Sequence, residues 1–84
     1  MATPYAGDVR ALIEMLAKSL VDAPDAVSVE AVETDRGTEL QLTVAEGDFG
    51  KVIGKQGRTA RCLRNIANAA GIKANKRVTV EIVE

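Results

Sequence analysis

The 84-residue chain contains no histidine, one cysteine and only two aromatic residues, Tyr5 and Phe49. Without histidine it lacks the commonest metal ligand and the usual general base near neutral pH. Cys62 cannot form an internal disulfide, and its position among apolar helix residues predicts a small packing residue. Most of the 12 acidic residues occupy turns or alternating positions, and none resembles a paired acid and base. We therefore predict no enzyme, no cofactor and no metal site.

Long apolar runs are also missing from the sequence. No run approaches the roughly 18 to 20 residues that span a bilayer, and the N-terminus lacks the pattern of a signal peptide. A cytoplasmic protein is therefore expected, with no membrane contact and no small-molecule substrate. The 46% hydrophobic and 27% charged residues are typical of a globular domain, and the length suffices for one core. We predict a single domain over residues 1–84, with its core at about 8–83.

The charges are segregated along the chain. The net charge of -1 argues, taken alone, against a nucleic-acid-binding protein. Residues 50–77, however, carry eight basic side chains and no acidic one, which leaves three of the 11 basic residues beside all 12 acidic ones. A merely solvated helix would mix glutamate with its arginine and lysine, so the pattern favours one basic face for phosphates. The eight are Lys51, Lys55, Arg58, Arg61, Arg64, Lys73, Lys76 and Arg77.

Hydrophobic periodicity predicts the order helix, strand, strand, short helix, glycine loop, helix, strand. The first helix is predicted over about 8–21, with Asp8 as its N-cap and Pro24 beyond its end. Alternating apolar residues predict strands at about 27–31, 40–44 and 78–82. The turn between the first two strands is predicted at Asp35-Arg36-Gly37. Because the other face of every strand is polar, helices must cover one side of the sheet only.

The stretch between the second and third strands carries the remaining helices. Asp48 is predicted to cap a short helix over Phe49 to Ile53, and a second helix over Arg58 to Ala70 is predicted to stop at Gly71. One half of the second helix is apolar, through Ala60, Cys62, Leu63, Ile66, Ala67, Ala69 and Ala70. A crossover of this length allows the second and third strands to be parallel. The predicted fold class is α/β (α+β), a two-layer sandwich with a three-stranded mixed sheet.

The glycine loop between the two helices fits neither common phosphate-binding fingerprint. A P-loop needs a glycine five positions before Gly54 and a serine or threonine after Lys55, where this chain has Phe49 and Gln56. A dinucleotide fingerprint needs another glycine at the position of Val52. What remains is a helix-loop-helix whose glycines let a backbone approach closely, with basic residues on both sides.

The Ile53-Gly54-Lys55-Gln56-Gly57 loop, set in this element order, resembles the KH domain of the prokaryotic, type II topology. Residues 18–22, 50–60 and 76–83 further resemble the small, free-standing bacterial KH-domain proteins. The resemblance implies a non-catalytic protein that clamps about four nucleotides of single-stranded RNA, with the bases on an aliphatic groove. The scarcity of aromatic residues agrees independently, because it excludes a platform on which bases stack.

The predicted RNA-binding residues are the loop and its neighbours. Lys51, Lys55, Arg58 and Arg61 are the candidates for phosphate contacts. Val52 and Ile53 are the groove candidates, and Ile53 fits the hydrophobic core equally well. The sequence leaves open whether the other four basic residues contact RNA or only extend the positive field. These are Arg64, Lys73, Lys76 and Arg77. The full set is Gly54, Lys55, Gln56, Gly57, Lys51, Val52, Ile53, Arg58 and Arg61.

The resemblance also implies partners and a cellular role. Proteins of this family pair with themselves or with a larger KH-containing partner, KhpB or Jag. They act as RNA chaperones or post-transcriptional regulators linked to cell elongation and division. The apolar half of the second helix, around Ile66 and Ala69, is wider than the roughly 100° that one core contact needs, which favours a homodimer or heterodimer there. The alternative interpretation is an assembly subunit that docks a KH-containing partner, with RNA binding secondary.

Overall fold

The structure, a computed structural model, describes residues 9–73 and 75–83. Three short 3-10 turns, at Pro24–Ala26, Glu46–Asp48 and Lys55–Gly57, join its longer elements. The predicted order of helices and strands is confirmed, and the N-cap predicted at Asp8 lies outside the described residues. In chain order the longer elements are α1 (Val9–Leu20), β1 (Ser28–Thr34), β2 (Gly37–Thr43), α2 (Phe49–Ile53), α3 (Arg58–Lys73) and β3 (Val78–Val83).

The three strands form one mixed sheet in the order β1-β2-β3. β1 and β2 form an antiparallel hairpin in which Thr34 pairs with Gly37, so that Asp35 and Arg36 make a two-residue turn. β2 and β3 are parallel, with Thr38 opposite Val78. The helical crossover between them permits this pairing. The predicted mixed sheet is confirmed, and β1 extends to Thr34, beyond the predicted strand.

The core lies between the helices and one face of the sheet. Buried residues alternate with exposed ones at the start of β1, as Val29 does with Glu30, and along β3, as Val80 does with Glu81, whereas Ala31 in β1 is exposed. The largest fully buried side chains are Ile13, Leu40, Leu42 and Val52. The predicted two-layer arrangement is therefore confirmed. Across the part of the chain that the structure describes, every helix is too short or too polar to cross a membrane.

The end of α3 differs from its prediction. The helix continues through Gly71, which is buried where α3 meets β3. The packing there is close, since a Cβ on Gly71 would lie 2.8 Å from Val78 Cγ2 and 2.9 Å from the Lys76 carbonyl oxygen. The prediction that Gly71 ends the helix is wrong. Asn75 takes the left-handed position instead, with φ of 61°. Its N–H donates to the Ile72 carbonyl at 3.0 Å and the Lys76 N–H donates to the Gly71 carbonyl at 2.7 Å, which is a Schellman motif.

Asp48 has a different role from the predicted helix cap. It immediately precedes α2, yet its side chain makes no capping hydrogen bond there. Asp48 is only 4% exposed, and its carboxylate accepts hydrogen bonds from the backbone N–H of Asp22 at 3.2 Å and of Ala23 at 2.9 Å. A buried carboxylate needs such donors to offset its lost hydration. Asp48 therefore joins the end of α1 to the start of α2.

Candidate nucleic-acid interface

The loop from Gly54 to Gly57 connects α2 to α3 through backbone conformations of positive φ. Gly54 has φ of 75°, and its N–H ends α2 by donating to the Gly50 carbonyl at 2.9 Å. Gly57 has φ of 74° and donates to the Gly54 carbonyl at 3.2 Å. Between them Gln56 has φ of 57° and ψ of 26°, which is uncommon for a residue other than glycine. Strained residues of this kind cluster at functional sites.

The two loop glycines have different surroundings. A Cβ on Gly54 would overlap the side chain of Thr59, and its conformation with ψ of 175° lies in a region that essentially only glycine occupies. A Cβ on Gly57 would meet nothing within 4 Å. Gly54 is therefore required by the protein's own packing, whereas the face of Gly57 is open to a ligand.

The basic residues around the loop are exposed and mostly uncompensated. Within the described residues, no carboxylate pairs with Lys55, Arg58 or Arg61, whereas Lys51 Nζ lies 3.4 Å from an oxygen of Asp22. Positive charge is thus available at the loop and at the start of α3, where a phosphate backbone could reach it.

The basic residues of α1 differ, because a glutamate on the same helix compensates them. Arg10 and Lys18 contact Glu14 at 2.9 and 3.3 Å, one helical turn to either side. Their hydrogen bonds, that of Lys18 foremost, hold the pKa of Glu14 below its ordinary value. The two basic residues of α1 thus share one acidic partner, whereas Lys55, Arg58 and Arg61 have none among the described residues.

The two predicted groove residues are placed differently. Val52 is fully buried in the hydrophobic core, so its side chain cannot contact a base, and the prediction of Val52 as a groove residue is wrong. Ile53 is only partly buried and remains a candidate. Hydrophobic periodicity cannot show which of the two residues is buried, because α2 has only five residues.

A groove that the sequence analysis did not single out runs between α3 and the edge strand β3. Arg64 crosses it, and its Nε donates to the Val80 carbonyl oxygen at 3.4 Å, which orients the guanidinium beside the strand. The groove has a volume of about 210 Å³ and is lined by Arg64, Asn65, Asn68, Val78, Thr79 and Val80. It adjoins a depression of about 430 Å³ lined by Asn68, Ile72, Asn75, Lys76 and Arg77. The available signal was the polar half of α3, on which Arg64, Asn65 and Asn68 lie together.

The opposite flank of α3 is apolar and open. Cys62, Ile66 and Ala69 recur at helical spacing and are all exposed, with 39% of Ile66 accessible. The prediction of Cys62 as a packing residue is therefore wrong. The core-facing residues Leu63 and Ala67 lie between this apolar flank and the groove on the buried side of the helix, whereas on the exposed side Ala69 lies one turn after Asn65 of the groove.

A mixed sheet covered by helices on one face, with a glycine loop between two of those helices, defines a KH domain of the type II topology. The family model described as KhpA/KhpB, KH domain, matches residues 10–82, and the chain belongs to this family. The resemblance drawn from the sequence motifs is confirmed.

Curated relatives of this chain carry the name RNA-binding protein KhpA. The protein of Clostridium acetobutylicum is 52% identical over 75 residues, which cover 89% of this chain and 100% of the relative. Those of Aquifex aeolicus and Bacillus subtilis are 48% and 47% identical over 73 residues, covering 87% of this chain and 92% and 90% of the relatives.

The similarity to a solved structure concerns the fold and not the sequence. The crystal structure of a point variant of Aquifex aeolicus Era bound to GDP.AlF4- aligns with a TM-score of 0.66 and 17% identity. The alignment covers 98% of this chain and 31% of the Era chain, so it concerns one part of a larger protein.

Proposed function

We propose that the chain is a non-catalytic RNA-binding protein that clamps single-stranded RNA at the Gly54–Gly57 loop. The observation that carries the proposal is the open face of Gly57 beside exposed, uncompensated Lys55, Arg58 and Arg61. A sugar-phosphate backbone can approach the loop there and meet positive charge. The relatives' shared name, RNA-binding protein KhpA, supports RNA as the ligand and a binding role rather than a catalytic one.

The bases of the bound strand are proposed to lie in the groove between α3 and β3. Arg64 is about 9 Å along the helix axis from Arg58, at a rise of about 1.5 Å per residue. The amides of Asn65 and Asn68 offer both donors and acceptors to base edges. Ile72, which is 70% exposed, supplies apolar contact at the far end. A KH loop clamps about four backbone nucleotides, and the two aromatic residues of this chain are too few for a platform on which bases stack.

The test is the double substitution of Lys55→Asp and Gln56→Asp, which places negative charge at the loop and keeps both glycines. Aspartate tolerates the left-handed conformation of Gln56 better than most residues do. The midpoint of thermal unfolding should stay close to the parent's, because exposed substitutions change stability by about 0.5 kcal/mol or less. The affinity for single-stranded RNA should fall by more than about tenfold, or 1.4 kcal/mol.

A matched control puts the same charge change elsewhere. Arg36 lies in the hairpin turn and Ser28 on the open face of the sheet, and both are exposed. The variant with Arg36→Asp and Ser28→Asp should keep most of the parent's affinity. If the loop variant folds and binds RNA as tightly as the parent, the loop is not the clamp, and the assembly-subunit interpretation replaces this one.

We also propose that the apolar flank of α3 pairs with a second KH domain, in a homodimer or with a KhpB/Jag-type protein. Its exposed Cys62, Ile66 and Ala69 support a protein contact, and the family's printed description names KhpB beside KhpA. The cellular role that we propose is that of a bacterial RNA chaperone or post-transcriptional regulator, linked to cell elongation and division. The proposed compartment is the cytoplasm.

Sedimentation tests the pairing surface directly. Ile66→Glu should convert a dimer to a monomer, because it buries a charge in an apolar interface. Thr43→Glu adds the same charge on the exposed end of β2 and should leave the dimer intact. A parent that remains monomeric at high micromolar concentration and recovers no KH-containing partner from cells would rule the surface out.

A further inference from the structure

An acidic side chain lies beside one of the proposed phosphate contacts. Lys51 is on α2, three positions before Gly54, and its Nζ lies 3.4 Å from Oδ2 of Asp22. Among the described residues, it is the one basic side chain between residues 50 and 77 that has an ion-pair partner. The proposed RNA site therefore carries its own negative charge at this edge.

The position of Asp22 is fixed by the protein and not by the ion pair alone. The side chain of Asp22 is 82% exposed, but its backbone N–H donates to the buried carboxylate of Asp48 at 3.2 Å. The next N–H, that of Ala23, donates to the same carboxylate at 2.9 Å. Asp48 stands immediately before α2, the helix that carries Lys51. One buried residue thus holds the backbone of Asp22 next to the helix of its partner.

We propose that Asp22 attenuates RNA binding by competing with an RNA phosphate for Lys51. This inference rests on the proposed function. In the free protein Lys51 pairs with the carboxylate, and a phosphate must displace that carboxylate and then lie close to its negative charge. Asp22 therefore weakens the complex and limits how strongly the basic surface holds polyanions in general. Because an exposed ion pair is weak, the attenuation amounts to about two- to fivefold in affinity.

The experiment compares Asp22→Asn with Asp25→Asn. Asp25 is a suitable control because it is exposed, lies three positions away and has no ion pair within the described part of the chain. The probe is a fluorescein-labelled single-stranded RNA of randomised sequence, about twice the length of the roughly four nucleotides that a KH loop clamps. Affinities are measured by fluorescence anisotropy at about 50 mM salt, where screening is weak.

Asp22→Asn should bind the probe about two- to fivefold more tightly than the parent, and Asp25→Asn should bind it nearly as the parent does. Asp22→Ser should reproduce the gain, which checks that the asparagine amide is not itself the cause. In a Lys51→Ala background the gain from Asp22→Asn should disappear, because the residue for which Asp22 competes is absent.

The outcomes separate this inference from the proposed function. If the parent binds the probe through its loop but Asp22→Asn binds no more tightly, the competition is absent and the proposed function stands. Equal gains from Asp22→Asn and Asp25→Asn, or a gain that persists without Lys51, would show a general charge effect and overturn the inference. A parent that fails to bind the probe overturns both.

Discussion

At the scale of single residues, the two loop glycines should respond differently to the same substitution. Gly54→Ala should lower the free energy of unfolding by about 2 to 3 kcal/mol, because Gly54 has a conformation almost confined to glycine and its Cβ would overlap Thr59. Gly57→Ala should cost about 1 kcal/mol, since the only penalty is a positive φ with open space in front. Urea denaturation of both variants measures the difference.

The companion measurement is RNA binding by the folded Gly57→Ala variant. A methyl group on the open face of Gly57 obstructs the close approach of a phosphate backbone, so the affinity should fall although the fold survives. Equal destabilisation by the two alanines, with RNA binding unaffected at Gly57, would contradict the distinction between a packing glycine and a ligand-facing glycine.

Residue by residue, local pattern revealed the loop but not the contacts that hold it. Gly54 and Gly57 could be predicted because a tight turn between two helices needs glycine. Asp48 could not be placed correctly, since its hydrogen-bond partners are 25 and 26 residues away and a capping role is the simpler local interpretation. Val52 was misplaced for a similar reason, because only the packing of α2 on the sheet shows which of its apolar side chains is buried.

At the scale of the elements, the junction of α3 and β3 predicts an unusual response to Gly71→Ala. In an exposed helix interior, alanine is favoured over glycine by about 1 kcal/mol. At Gly71 the new methyl group would meet Val78 Cγ2 and the Lys76 carbonyl, so the variant should be destabilised by about 1 to 3 kcal/mol. Ala69→Gly, made in the Ile66→Glu background so that pairing through the same flank does not contribute, measures the propensity effect. Stabilisation by Gly71→Ala in urea denaturation would show that the junction can relax.

Hydrophobic periodicity predicts the order of the helices and strands but not the residue at which α3 ends. The order and pairing of helices and strands followed from alternation and helical spacing, because each strand has one buried face and each long helix one buried stripe. The end of α3 did not, since a Schellman motif needs one left-handed residue and both Gly71 and Asn75 can supply it. The close approach of β3 to Gly71, which only the assembled sheet reveals, decides between them.

At the scale of the whole molecule, α3 separates two surfaces that need not compete. Its flank toward β3 carries Arg64 and Asn68, and its opposite flank carries Cys62 and Ile66, with core residues between them. Lys55, Arg58 and Arg61 have no ion-pair partner among the described residues, while Glu30 and Glu81 are exposed on the open face of the sheet. In the pairing that we propose, contact through Cys62 and Ile66 would leave the flank with Arg64 and Asn68 accessible in each domain.

The dependence of RNA affinity on salt tests this arrangement as a whole. Each phosphate neutralised on a single strand contributes about -0.7 to the slope of log affinity against log salt concentration. Three or four contacts, from Lys51, Lys55, Arg58 and Arg61, predict a slope of about -2 to -3 for one domain. If a dimer places both loops on one RNA, the slope should approach about -4 to -6, and Ile66→Glu should return it to the value of one domain.

Anisotropy titrations between about 50 and 200 mM salt measure this slope. The loop variant with two aspartates should give a shallower slope, whereas the slope of Thr43→Glu should equal that of the parent. A slope near zero with the affinity intact would mean that RNA is held by something other than phosphate contacts, and the clamp would have to be abandoned.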